Sequence, residues 1–156
     1  MAIRTILLED DETLRKKSRA VERFDARLHQ LLDDMAETMR SANGVGLAAP
    51  QVGVLRRAVI IDDGNGLKEL INPAITCREG SQEEVEGCLS CPGLAGVVQR
   101  PARVIATAFD RHGNPITVEG EELLARAICH ELDHLDGVLF KDIAIEMVDD
   151  EEYQMD

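Results

Sequence analysis

His130, Glu131 and His134 stand at the spacing H-E-x-x-H in the run ICHELDHLDG, toward the C-terminal end of a 156-residue chain. Imidazoles four residues apart project from one side of a helix, so both can bind a single metal ion while the glutamate between them reaches the ion's water. This is the equipment of a metal-dependent hydrolase. The plainer alternative is a chance match whose histidines are hydrogen-bonded core residues.

The motif needs a helix, and residues 121–136 hold no Gly or Pro, with Gly137 where a helix would stop. On a helical wheel Leu123, Leu124, Ala127, Ile128, Leu132 and Leu135 share a wide arc with the three motif residues. Glu122, Arg126, Asp133 and Asp136 fall on the narrower opposite stripe, which places the motif on the buried face. Burying two imidazoles and a carboxylate among leucines costs several kcal/mol unless they are compensated, and a divalent cation compensates all three.

A catalytic metal normally takes three protein ligands and keeps one position for water. No histidine follows His134, and most of the later carboxylates lie in an acidic stretch over 146–156 that reads as a solvated tail. The third ligand is therefore sought upstream, where Cys88 stands in EGCLS beside Leu89, whose backbone N–H can face the same space.

Net charge of −13 argues against a surface that tracks nucleic-acid phosphates, since the only dense basic run is Arg15, Lys16, Lys17 and Arg19, read as a solvated helix face. No nucleic-acid binding is expected. The apolar stretch Ile6-Leu7-Leu8 runs straight into acidic residues, which is unlike a secretory signal, and no stretch approaches membrane-spanning length. With four cysteines in such a chain, a reducing, cytoplasmic compartment is expected, its thiols free or bound to metal.

Asp25 is predicted to cap a helix whose Leu28, Leu31, Leu32, Met35 and Met39 follow helical spacing and which ends before Asn43-Gly44. GVGLAAPQ at 44–51 reads as an irregular loop. Short strands are predicted at 58–61, 69–71, 103–109 and 116–118, with hairpin turns at 63–66 and 112–115. The expected fold class is α+β: short, largely antiparallel sheets around a central metal-binding helix, in one catalytic domain over 1–156 with its acidic tail from about 146.

Three segments, GVGLAAPQ, EGCLS and HELDHLDG, in this order and at these separations, resemble the signatures of the peptide deformylase family. The likeness extends through AIRTILLEDDETLRKKS and CPGLAGVVQRPARV to cover roughly residues 2–142. It implies removal of the formyl group from N-formylmethionine of nascent bacterial polypeptides, with formate released. Carried over residue by residue, it implies Cys88, His130 and His134 as metal ligands and Glu131 as general acid/base. It further implies that Gln51 and the Leu89 N–H support the oxyanion, and that Gly46 contacts the substrate backbone. The metal implied is Fe2+, for which Zn2+, Ni2+ or Co2+ can substitute, and the partners are N-formylmethionyl peptides with a transient ribosome contact.

Two positions depart from the family pattern: Cys129, where relatives usually have Gln, and Ala95, where many place Arg near the substrate backbone. The acidic 146–156 segment also differs from the basic C-terminal helix with which some relatives meet the ribosome. The methionine pocket is expected to be apolar and flanked by Leu124, Ala127 and Ile128. Three rival readings remain: a zincin-type peptidase recruiting a carboxylate such as Glu146, a catalytically silent formyl-peptide-binding paralogue, and a cysteine-rich structural site built on Cys88-Leu-Ser-Cys91. Cys77, Cys91 and Cys129 are otherwise read as small apolar fillers, and His29 and His112 as surface residues.

Overall fold

The structure, a computed structural model, describes residues 2–148. After an extended N-terminal stretch and a single 3-10 turn, α1 (Ala26–Ser41) begins at Asp25, whose side chain accepts from the Leu28 N–H as the capping reading requires. Then come β1 (Gly46–Ala48), a 3-10 turn at Ala49–Val52, β2 (Ala58–Asp62), β3 (Leu67–Glu79), β4 (Gln82–Glu86), β5 (Ala95–Arg100), β6 (Arg103–Phe109) and β7 (Pro115–Glu121). The motif helix α2 (Glu122–Leu135), a short α3 (Phe140–Ile143) and β8 (Glu146–Val148) complete the described chain.

All named strand pairs are antiparallel, in a five-stranded sheet ordered β1-β2-β3-β6-β7 and a three-stranded sheet ordered β4-β5-β8. The α+β class expected from the sequence is the one observed. Strand β2 shows why. Ala58 and Ile60 join Leu32, Met35 and Met39 of α1, whereas Val59 and Ile61 join Ala125, Ile128 and Leu135 of α2. The strand is buried on both faces, hence its unbroken AVII run. Each such Val or Ile contributes roughly 1.5–3 kcal/mol through burial. The two helices thus sandwich the sheet, and α2 is clamped along its length.

Several local expectations change. The segment 44–51 is not wholly irregular, because Gly46–Ala48 pairs with β2. Strand β3 runs far beyond 69–71, passing Pro73 through an irregularity at which Asn72 adopts φ 51° and its amide exchanges two hydrogen bonds with the Val21 backbone. Strands β4 and β5 were not legible: one is acidic and lies at a sheet edge, the other contains Gly96. Residues 146–148 are not solvated tail but strand β8, paired with β5; the rest of that stretch lies outside the described residues. Lys16 to Arg19 is not a helix face either, the 3-10 turn ending at Arg15.

Candidate active site and metal centre

Helix α2 brings three chemical side chains to one place. His134 and Glu131 are buried and His130 nearly so, while Gly137, at φ 77°, ends the helix where an added Cβ would meet the Arg15 carbonyl at 2.4 Å. Cys88 arrives from the segment after β4. Its Sγ and one ring nitrogen from each of His130 and His134 all lie within 4.8 Å of one another, with Cys88 Sγ 3.3 Å from His134 Nε2.

The donor set fits a divalent cation. The Nδ1 of His130 lies 2.9 Å from Glu86 Oε1, which leaves Nε2 as the lone-pair nitrogen facing the cluster. Burial and the neighbouring His130 push His134 well below its ordinary 6.5, which keeps the imidazole neutral, the form able to bind a metal. Contact with the Cys91 thiol, burial and the charge of Glu131 push the Cys88 thiol far above its ordinary 9.0. Only an adjacent cation would hold that sulfur as a thiolate.

Glu131 is 4 % exposed, and burial raises its carboxyl to about 7. Among the described residues its Oε1 has no hydrogen-bond partner, whereas Oε2 faces Gly46 so closely that a Cβ there would sit 2.5 Å away. Gly46 is therefore glycine because the carboxylate occupies the space a side chain would need. Gln51, fully buried on the 3-10 turn after β1, accepts from the Ala48 N–H at 2.9 Å and donates to Ser90 Oγ at 3.0 Å, with Cys88 Sγ at 3.6 Å. Its amide is held with Nε2 toward the cluster. Leu89 lines the same groove, and among the described residues nothing accepts from its N–H.

The groove has a volume of about 390 Å³ and lies between the β1 side, at Asn43 to Gly46, and the β4 side, at Val85 to Gly87. Both β1 and β4 are edge strands of their sheets. An extended peptide laid between them can take up backbone hydrogen bonds from either side. Of the apolar residues expected to flank the site, Ala127 does; Leu124 and Ile128 do not, because Ile128 is wholly buried in the core and Leu124 packs beside it. Leu123, which is 41 % exposed, lines the groove instead. Ala95 is also not a groove residue but a fully buried position paired with Val148.

A profile of the polypeptide deformylase family matches residues 3–149. The chain belongs to the polypeptide deformylase family. The peptide deformylase of Acetivibrio thermocellus is 61% identical over 154 residues, spanning 99% of this chain and 91% of that protein. That of Caldicellulosiruptor bescii is 60% identical over 154 residues, spanning 99% and 93%. The crystal structure of a peptide deformylase from Legionella pneumophila superposes with a TM-score of 0.89 at 47% identity, covering 91% of this chain and 86% of that one. A Synechococcus elongatus peptide deformylase in complex with actinonin gives 0.87 at 42% identity, covering 89% and 77%.

This deformylase-family site also uses residues that carry no motif of their own. Glu86 is bound by Arg100 through two hydrogen bonds of 2.9 Å, and Arg100 reaches Asp133 Oδ2 at 2.7 Å. Burial would push the Glu86 carboxyl up, but the hydrogen bonds from Arg100 and His130 prevail and hold it down to about 2. A buried carboxylate, itself fixed by a buried arginine, thus sets the tautomer and ring plane of His130. Asp133 belongs to this chain of contacts rather than to a purely solvated stripe. Sequence reasoning missed Glu86, Ser90 and Arg100: Glu86 and Ser90 lie within EGCLS but were given no role there, and nothing pointed to Arg100.

Proposed function

We propose that the chain removes the formyl group from the N-terminal methionine of nascent polypeptides and releases formate. The observation that carries this reading is the convergence of Cys88, His130 and His134 beside Glu131, in a groove open to an extended peptide, within a polypeptide deformylase-family chain. We take Cys88, His130 and His134 as the metal ligands and Fe2+ as the resident ion, with Zn2+, Ni2+ or Co2+ able to replace it. When bound, the ion supplies Lewis acidity and hydroxide near neutral pH.

The chain's own residues do the rest. The formyl-methionyl end lies between β1 and β4, and Gly46 lets the substrate backbone come close to Glu131. Glu131, whose carboxyl burial raises to about 7, takes a proton from the attacking water as the carboxylate and delivers it to the departing amine. The Nε2 of Gln51 and the N–H of Leu89 donate to the oxygen on which negative charge develops, each such donor being worth about 3 kcal/mol. Glu86 and Arg100 keep His130 oriented throughout.

The whole chain acts as one catalytic domain, in the cytoplasm, with a transient contact to the ribosome as its substrate emerges. No described helix is long and apolar enough to cross a membrane. The zincin-type alternative finds no support: Glu146 is exposed on β8 and does not join the ligand cluster. An assay offering formyl-Met-Ala-Ser and an internal-bond peptidase substrate to the iron-loaded protein separates the two readings. Formate release without internal cleavage is expected; cleavage without formate would reverse the assignment.

A further inference from the structure

A second cleft, of about 660 Å³, shares no lining residue with the active-site groove. Arg4, Arg19, Arg23, Arg27 and Arg56 line it, in a chain whose net charge is −13. Along the sequence these arginines are scattered between positions 4 and 56, and only Arg19 belongs to the one dense basic run. The fold gathers them: the N-terminal stretch, the segment before α1, the first turn of α1 and the loop before β2 all meet here.

Two features set this cleft apart from a chance gathering of surface charge. Arg19 and Arg56 are direct partners in a parallel β-bridge, fixed by hydrogen bonds from Arg19 N to Leu55 O at 3.1 Å and from Arg57 N to Arg19 O at 2.9 Å. Like charges held opposite each other destabilise a pairing, and an anion shared between them removes that cost. Second, no ion pair involves Arg19, Arg23, Arg27 or Arg56 among the described residues; only Arg4 is neutralised, by Asp34 at 2.9 Å. The lining carboxylates are Glu22 and Asp25, and Asp25 is committed to capping α1.

We propose that this cleft is a docking surface for the phosphodiester backbone of a structured RNA. All five cations are arginines, whose planar guanidinium matches phosphate oxygens in pairs. The surface is concave, which suits a ridge of backbone phosphates rather than a flat bilayer. The lining includes none of the exposed large apolar side chains, so nothing there would insert into lipid. Beyond the screening distance of roughly 8 Å at physiological salt, repulsion from the rest of the chain fades. The interaction is therefore local, sequence-independent and strongly dependent on salt. It stands apart from the formyl chemistry and does not rest on it.

The test measures binding of the metal-loaded full chain to a fluorescent RNA hairpin across a salt series. Binding should weaken with salt, with a log–log slope of about −3 or steeper, set by the phosphates neutralised. Arg19→Gln with Arg56→Gln, and separately Arg23→Gln with Arg27→Gln, should each weaken it at least tenfold and flatten the slope by about one per arginine removed. The same variants should keep their melting temperature and their turnover of a short formyl peptide. Lys16→Gln with Arg78→Gln removes equal charge outside the cleft and should leave binding near the unsubstituted level. Absence of RNA binding at low salt, full binding by both cleft variants, or equal weakening by the control pair would overturn the proposal. So would binding to phosphatidylglycerol vesicles with no binding to RNA, which would give the cleft to a membrane.

Discussion

Replacing Glu86 with Gln removes one negative charge from a site that is 7 % exposed while changing its volume little. Two things then lose their partner. Arg100, 5 % exposed, keeps Asp133 but gives up a two-bonded carboxylate, and His130 Nδ1 faces an amide that can no longer offer full negative charge. Removing one member of a buried ion pair typically costs about 3–5 kcal/mol, and with Asp133 still in place the lower end, about 3 kcal/mol, applies. For a chain of this size each kcal/mol lowers the melting temperature by roughly 2–4 °C, so a drop of roughly 6–12 °C is expected. Outer carboxylates of this kind are worth about 10–100-fold in metal affinity. Thermal unfolding of the metal-free and metal-loaded protein, with a chelator competition titration, reads both effects. A Glu86→Gln protein with unchanged melting temperature and unchanged metal affinity would refute the role given to this carboxylate.

Gly46→Ala should keep the metal but lose most formate release, because the new Cβ would press on Glu131 Oε2 at 2.5 Å; full activity would show that the carboxylate moves aside freely. Gln51→Ala should lower kcat by about a hundredfold or more with little change in metal content, and a change in KM alone would remove Gln51 from the oxyanion role. Asp34 anchors the N-terminal stretch to α1 through bonds from the Ala2 amide, Arg4 and Gln30. Burial pushes its carboxyl up, but these hydrogen bonds prevail and hold it below its ordinary 3.8. Its contribution is therefore fully present above that ordinary value and is lost as pH falls below it through the lowered folded value, so Asp34→Asn should flatten the fall of melting temperature with pH below about 4. An unaltered slope would mean that the anchoring does not depend on the charge.

What the sequence revealed and what it hid have physical reasons. The histidine pair was legible because a site built on a helix imposes a fixed four-residue spacing, whereas Cys88, off that helix, was reached through the resemblance of EGCLS; α1 was legible because a cap and a regular apolar stripe coincide at Asp25 to Met39. Strand β2 was legible because both of its faces are buried. Strand β4 was not, since an acidic edge strand looks like loop, yet it forms one wall of the groove and carries Glu86. Arg100 sits in β5, where a single buried cation among apolar residues leaves no periodic trace; only the three-dimensional contact with Glu86 and Asp133 explains it. The helical wheel placed the groove on Leu124 and Ile128, whereas the sheet claims that face and leaves Leu123 and Ala127 to the groove. The arginine cleft was hidden for the same reason: its members meet only after folding.

The central claim, that Glu131 moves the proton while Cys88, His130 and His134 hold the ion, is tested most directly by one paired measurement on Glu131→Gln loaded anaerobically with iron. Metal content and formate release from formyl-Met-Ala-Ser are read on the same sample. The account predicts one iron per chain and a turnover lower by several orders of magnitude. Turnover at the unsubstituted rate would contradict it, as would loss of the iron, which would make Glu131 a ligand rather than the acid/base.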